Sequence, residues 1–255
     1  MQFKIGDIVS RNSYNNDVIF EIISIENDIA LLKGSFVRLC ADAPLSDLRL
    51  DDNNRDEYEP DTDNLVLDRD EYFYLPGKIL HIDGDEDYLK KSLDFYKKSG
   101  VLAIGKCIKE KDLPNVIEIL LKESKPDIVV ITGHDAYYEK LGESSNINNY
   151  KNSKYFVRAV QIAREYEKAH EKLVIIAGAC QSDYEDIIKS GANFASSPKR
   201  VNIHALDPAL IATVVALTDK NKELDLKELL NKTKYGKNGM GGLMGNGMMY
   251  VGYPR

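Results

Sequence analysis

The sequence predicts an α/β protein: a mostly parallel sheet with helices on both faces, preceded by a small all-β unit. Three observations carry this. From about residue 75 onward, short apolar runs alternate with amphipathic stretches. Two of the runs, 128–131 and 173–179, are continuously apolar and rich in β-branched residues, as strands buried on both faces are. Before residue 50 the pattern is different, with short alternating strands separated by polar turns.

Taken in order, Phe3–Ser10 alternates and leads into the turn-rich Arg11–Asp17. Val18–Ile25 and Ile29–Gly34 follow as strands around a turn at residues 26–28. Short strands of this kind suggest a small barrel over residues 1–50. Its opening, apolar-x-apolar-Gly-Asp-apolar-Val, resembles the first strand of SH3-like or KOW-like barrels, and such modules bind peptides or RNA or simply dock. Residues 51–63 hold seven acidic residues and one basic one, with almost nothing apolar to bury. A solvated linker is expected over 51–74, with the larger domain over 75–255. Arg49, Arg55 and Arg69 lie in or near it, accessible to a protease.

In the larger domain, Lys78–Ile82 reads as a strand ending at Asp83-Gly-Asp. Residues 85–100 follow as a helix with acids at its start and Gly100 closing it. A strand at 101–108 and an amphipathic helix from Leu113 come next. The run 126–132 then ends at Gly133-His134, a polar loop covers 143–154, and a helix runs from about Tyr155 to Lys168. Leu173–Ala177 leads through Gly178-Ala179 to Cys180, followed by a helix from Asp183 to Gly191. A short strand or loop at 192–198 precedes a helix opened by Asp207-Pro208. The Gly- and Met-rich stretch 236–250 neither follows a strand into a helix nor carries a Lys-Ser/Thr, so a phosphate loop is not expected and a flexible or substrate-edge loop is.

Composition narrows the function. The chain has 255 residues, a formal charge of −7 and 29% charged residues, and no apolar run long enough to span a bilayer. The acidic balance speaks against nucleic acid as a partner, and with it against RNA binding by the amino-terminal unit. No signal-peptide core opens the chain, so a cytoplasmic address is expected. Three scattered cysteines without CxxC spacing point away from a disulfide framework or zinc site, and no cofactor or metal is expected. A dinucleotide fingerprint is missing after the first strand of the domain.

Two buried strands thus deliver a His and a Cys, 46 residues apart, which leaves room for one helical crossover. Carboxyl ends of parallel strands are where open α/β sheets place their chemistry. A Cys beside a His is the minimum for thiol catalysis. Cys180 is the expected nucleophile and His134 the general acid/base. The backbone N–H groups of Cys180 and Asp135 are the expected oxyanion donors, with Gly133 and Gly178 allowing close approach. His81 and His204 are the rival histidines, and His170 is expected in solvent. Cys40 and Cys107 lack this context and are expected in the core.

In this order, the two blocks resemble the cysteine peptidases of the caspase-like fold. The whole chain, including the β unit, Thr132-Gly-His-Asp135 and Ala177-Gly-Ala-Cys-Gln181, resembles the YabG family, the sporulation-specific proteases of spore-forming Firmicutes. That resemblance implies a caspase-like peptidase domain behind an SH3-like barrel. It implies cleavage after arginine in spore coat and cortex-related proteins, in the mother cell or forming coat, and self-processing. Caspase-like enzymes usually carry Gly after the His, where this chain has Asp135, and metacaspases carry Asp two residues before the Cys, where it has Gly178. An arginine pocket needs a carboxylate. Asp83 is the first candidate, in the position where metacaspases carry a pocket acid, and Asp183 the second, followed by Asp85 and Asp207. A helix N-cap is the competing role, strongest for Asp183 and Asp207. Ser196 and Ser197 would line the groove. The alternative reading is a non-catalytic Rossmann-like or flavodoxin-like module that docks spore-coat partners or a small ligand.

Overall fold

The computed structural model describes residues 3–51 and 72–253. The chain divides into two compact units, Met1–Glu59 and Pro60–Arg255. Most of the expected linker, with Arg55 and Arg69, lies outside the described residues.

The first unit is one antiparallel sheet. Its strands are β1 (Ile8–Arg11), β2 (Phe20–Glu26), β3 (Ile29–Gly34), β4 (Cys40–Pro44) and β5 (Leu48–Leu50), in the order β4-β3-β2-β1-β5. Val9, Phe20, Ile22, Ala30, Leu32, Ala43 and Leu48 form its core. Alternation chose that face, because successive strand side chains point to opposite sides. Arg49 stands in β5, opposite Ser10 of β1.

The second unit opens with β6 (Phe73–Leu75), which pairs with β13 (Tyr250–Gly252) in a two-stranded ribbon. Its main sheet holds β7 (Ile79–Asp83), β8 (Ala103–Cys107), β9 (Ile128–Thr132), β10 (Val174–Ala177), β11 (Phe194–Ser196) and β12 (Met240–Gly242). The spatial order is β12-β11-β10-β9-β7-β8, parallel except for β12. Helices α1 (Glu86–Lys98), α2 (Leu113–Ser124), α3 (Ser153–Tyr166), α4 (Tyr184–Lys189), α5 (Asp207–Leu217), α6 (Leu226–Asn231) and α7 (Gly236–Gly239) complete the unit. The expected mixed α/β class, a parallel sheet flanked by helices, is what forms, and the amino-terminal unit is a separate antiparallel sheet.

One face of the sheet, with Leu80, Ile82, Val129, Ile131, Ile175 and Ala177, packs on α2, α3 and α4 through Leu113, Ile117, Leu121, Phe156, Val160 and Ile187. The opposite face meets α1 and α5, and every residue of α5 is buried. Each large aliphatic side chain buried this way contributes roughly 1.5–3 kcal/mol.

Three local expectations change. The Gly/Met-rich stretch is not simply a loop: it supplies α7 and β12, and Met240 is fully buried. Cys40 and Cys107, expected in the core, are exposed, because each ends or begins a strand at a sheet edge. Asp207 does not cap its own helix. It lies inside α5, and its carboxylate accepts from the His204 and Lys234 N–H groups.

Strand order also locates the crevice. The chain moves outward from β7 to β8, returns across to β9, and continues the other way to β10 and β11. The order therefore reverses between β7 and β9, and ligands of open α/β sheets bind outside the carboxyl ends at such a point.

Candidate functional site

Ile131 of β9 pairs with Ala177 of β10. Three residues further along each chain, the same register reaches His134 on one side and Cys180 on the other. Neighbouring strands lie roughly 4.8 Å apart. Both blocks singled out in the sequence thus leave adjacent strands at the same carboxyl edge.

His134 is held from three directions. Its N–H donates to Glu110 Oε1 at 2.7 Å, and its carbonyl accepts from Asn152 Nδ2 at 2.8 Å. Its ring Nε2 lies 3.2 Å from Asp85 Oδ2, and the ring tilts against Tyr88 with centroids 5.8 Å apart. Glu110 also explains two glycines. A Cβ on Gly84 would come within 2.3 Å of Glu110 Oε1, and one on Gly133 within 2.4 Å. Both strand ends must be bare for the carboxylate to enter between them and reach the His134 N–H.

Cys180 is fully buried. Its Sγ accepts from the Ile203 N–H at 3.2 Å and donates to the Ile203 carbonyl at 3.8 Å. The covering segment is fastened nearby: the Gln181 N–H donates to the Val201 carbonyl, and Ser197 Oγ donates to the same oxygen at 2.6 Å. Arg200, at φ 55°, anchors it from outside, donating through Nε to Tyr150 Oη at 2.6 Å and through its terminal nitrogen to Glu185. Gly178, at φ 107°, makes the turn that carries the chain from β10 toward Cys180, a conformation that excludes larger residues.

Asp135 contributes a side chain that the sequence reading left out. Oδ1 accepts from the N–H groups of Ala136 and Asn152, and Oδ2 from the hydroxyls of Ser153 and Ser182. Ser153 Oγ in turn accepts from the Asp183 N–H. One buried carboxylate thus ties the His134 loop to α3 and to the loop after Cys180. Burial pushes it up to about 6, against these hydrogen bonds, which pull it down.

Both pocket candidates are engaged internally. Asp83 has no exposed surface; Oδ1 accepts from the Asp85 N–H, and Oδ2 accepts from Thr132 Oγ1 at 2.8 Å. Thr132 bonds His81 Nε2, and His81 Nδ1 bonds Tyr96 Oη, so the rival His81 belongs to a buried polar chain beneath the crevice. Asp183 caps α4 through the Asp186 N–H and lies 3.5 Å from Arg200. Asp85 caps α1 through the N–H groups of Asp87 and Tyr88. Ser196 is buried against Met240, and His204 accepts from the Leu206 N–H through Nδ1. His170, expected in solvent, is half-buried; burial first and Arg164 second lower its basicity.

Among the described residues, no group of three or more His, Cys, Asp or Glu has a metal-holding arrangement. No helix among them is long and apolar enough to cross a membrane. A groove of about 880 Å³ near the carboxyl end, lined by Leu224, Leu226, Leu230, Tyr235 and Met244 among others, includes none of the candidate residues.

Glu110, Asn152, Ser153, Ser182 and Ile203 escaped the sequence reading. They are ordinary polar or aliphatic residues whose roles arise only when distant loops meet. The pair of glycines at strand ends, Gly84 and Gly133, was the one available hint of a side chain entering between them.

Similarity to known proteins defines the class as a peptidase. The family model of YabG peptidase U57 matches residues 4–66 and 55–254. The sporulation-specific protease YabG of Bacillus subtilis (strain 168) is 43% identical over 286 aligned residues, covering 100% of this chain and 99% of that protein. The chain belongs to the YabG peptidase family. That membership does not favour the non-catalytic binding module.

Proposed function

We propose that this protein is a sporulation-associated cysteine endopeptidase with Cys180 as nucleophile and His134 as general acid/base. The supporting observation is the register of β9 and β10, which sends the two residues from adjacent parallel strands to one edge of the sheet. The Cys180 thiolate attacks the scissile carbonyl, His134 protonates the departing amine, and water releases the acyl group. The backbone N–H groups of Cys180 and Asp135 are proposed as oxyanion donors. A reacting carbonyl has to approach within roughly 3–3.5 Å of the sulfur. The main chain of Ile203 holds that place in the closed arrangement, so the Val201–Ile203 segment moves aside when substrate binds.

The domain is read as caspase-like, supported by the strand order around the switch point and by a His strand preceding a Cys strand. The amino-terminal sheet is read as SH3-like. Arginine before the cleaved bond is proposed, with Asp83 as the pocket acid ahead of Asp183, because Asp183 already pairs with the chain's own Arg200. Spore coat and cortex-related proteins are the proposed substrates, in the mother cell or forming coat; the name of the Bacillus relative supports the link to sporulation. Self-processing is proposed at Arg55 or Arg69 rather than Arg49, since Arg49 lies in a paired strand and a scissile segment must be extended and unpaired.

Fluorogenic peptides differing only in the residue before the bond test this reading, with wild type, Cys180→Ala and His134→Ala. Cleavage of arginine peptides by wild type alone is the expected result. Full activity in Cys180→Ala overturns it.

A further inference from the structure

We propose that Asp85 is the positioning residue that holds the His134 imidazole for proton transfer. The inference rests on the Cys180/His134 reading and adds a third member. Asp85 divides its carboxylate between two tasks. Oδ1 accepts from the Asp87 and Tyr88 N–H groups at the start of α1, at 3.0 and 3.3 Å. Oδ2 is 3.2 Å from His134 Nε2. The backbone of Asp85 is itself pinned, since its N–H donates to the buried Asp83 carboxylate at 2.9 Å. His134 is pinned as well, through its N–H to Glu110 and its carbonyl to Asn152. Two rigid backbones therefore present one carboxylate oxygen to one ring nitrogen. Both side chains are mostly buried, at 20% exposure for His134 and 14% for Asp85, so solvent screens the pair only in part.

The consequence is a choice of tautomer. With the Nε2 proton donated to Asp85, Nδ1 is the basic nitrogen. The proton of the Cys180 thiol passes to Nδ1, leaving a thiolate and an imidazolium whose Nε2–H faces the Asp85 carboxylate. Attack forms the sulfur–carbon bond, and the proton on Nδ1 goes to the amine as the peptide bond breaks. Water then gives a proton to Nδ1 as its oxygen attacks the acyl carbon, and that proton returns to the sulfur as the thioester breaks.

The charged groups around His134 come from several elements. Asp85 follows β7. Glu110 follows β8 and contacts the main chain of His134 rather than its ring. Lys109 donates to the Gly84 carbonyl at 2.8 Å. The Asp135 carboxylate points to Ser153 and Ser182. Asp83 lies behind the Asp85 N–H. Asp85 is thus the carboxylate on the ring itself, and a neighbouring carboxylate stabilises the imidazolium.

Asp85→Asn in the full-length chain is the test, because Asn caps a helix as well as Asp does and removes only the charge. Two readouts are taken: the His134 titration by NMR of histidine-labelled protein, and kcat and KM on an arginine peptide. The expected result is a His134 pKa lower by about one unit or more, with kcat reduced about 10²–10⁴-fold and KM little changed. Asp85→Ser, which keeps the cap and loses the ring contact, should reproduce both and guards against a folding defect in the first variant. A wild-type titration and wild-type kcat in both variants would reduce Asp85 to a helix cap and overturn the proposal. Failure of the underlying dyad has a different signature: His134→Ala stays active, while the Asp85-dependent titration shift persists.

Discussion

The ends of β9 and β10 lie side by side at the same sheet edge, yet they are built by opposite means. Beyond β9, carboxylates surround His134: Asp85 at its ring, Glu110 at its N–H, and Asp135 immediately after it. Beyond β10, Cys180 is enclosed by main chain, with the N–H and carbonyl of Ile203 on its sulfur. One strand end is set by charge and the other by backbone. The lesson is that, apart from the Asp135 carboxylate they share, the two proposed reactive groups rest on different supports, and different substitutions should disturb them.

The largest expected effect comes from the proposed groups themselves. Cys180→Ala and His134→Ala should each lower kcat by at least about 10³-fold, and the double variant should be no worse than either alone, since residues acting as a unit are non-additive. Peptide hydrolysis together with melting temperature checks this, and additive losses would separate the two strand ends functionally.

Next comes the packing that positions the base. Gly133→Ala drives a methyl group into the Glu110 carboxylate, which must then release the His134 N–H. A loss of about 1–3 kcal/mol in stability is expected, from the lost charged hydrogen bond and crowding. Urea denaturation measures it, and an unchanged midpoint would show that Glu110 swings away without cost.

Asp135 links the two strand ends and makes stability depend on pH. Its folded carboxyl, at about 6, holds its proton more tightly than the unfolded value of 3.8. The native state is therefore favoured at low pH by this group; the preference is complete below about 3.8 and is lost as pH rises through about 6. The amount is about 3 kcal/mol. Comparing denaturation midpoints of wild type and Asp135→Asn across pH 4–7 isolates it: the difference between the two should vary with pH across this window. Parallel curves would show that the carboxyl titrates normally.

The smallest effect concerns the cover on the sulfur. Arg200→Ala removes the anchors to Tyr150, Glu185 and Asp183 while leaving the Ile203 contact intact. Alkylation of Cys180 by iodoacetamide should quicken by about three- to tenfold, as these partly exposed ion pairs and hydrogen bonds together contribute about 1 kcal/mol to local closure. A rate equal to wild type would show that the Val201–Ile203 segment is held from within.

Tyr150 sharpens the same point. Burial pushes its hydroxyl up to about 12, and Arg200 opposes the rise. The hydroxyl accepts from Arg200 and donates to the Ser144 carbonyl at 2.7 Å, so it stays protonated and fastens two loops at once.

Much of the fold was legible in the chain because it depends on local pattern. Continuous β-branched runs at 128–132 and 174–177 are buried on both faces, and Asp85 before a helix with an acidic start is the α1 cap. Alternation in 18–34 marked the antiparallel unit. The Gly/Met-rich carboxyl stretch misled, since glycine weakens a strand signal while its lack of a side chain suits the close approach of Gly241 to Tyr184 and Gly242 to Phe194.

The sequence by itself determined which residue types reach the sheet edge: a His and a Cys after two buried strands, separated by one crossover. Spacing and apolar pattern suffice for that, because strand direction and crossover length leave few arrangements. Tertiary structure alone decided what surrounds them. That Asp83 is buried under Thr132, that Asp183 meets Arg200, that Glu110 enters between two glycines and that Ile203 closes over the thiol all depend on loops far apart in the chain. Side chains of this kind carry no periodicity, and only packing between elements brings them together.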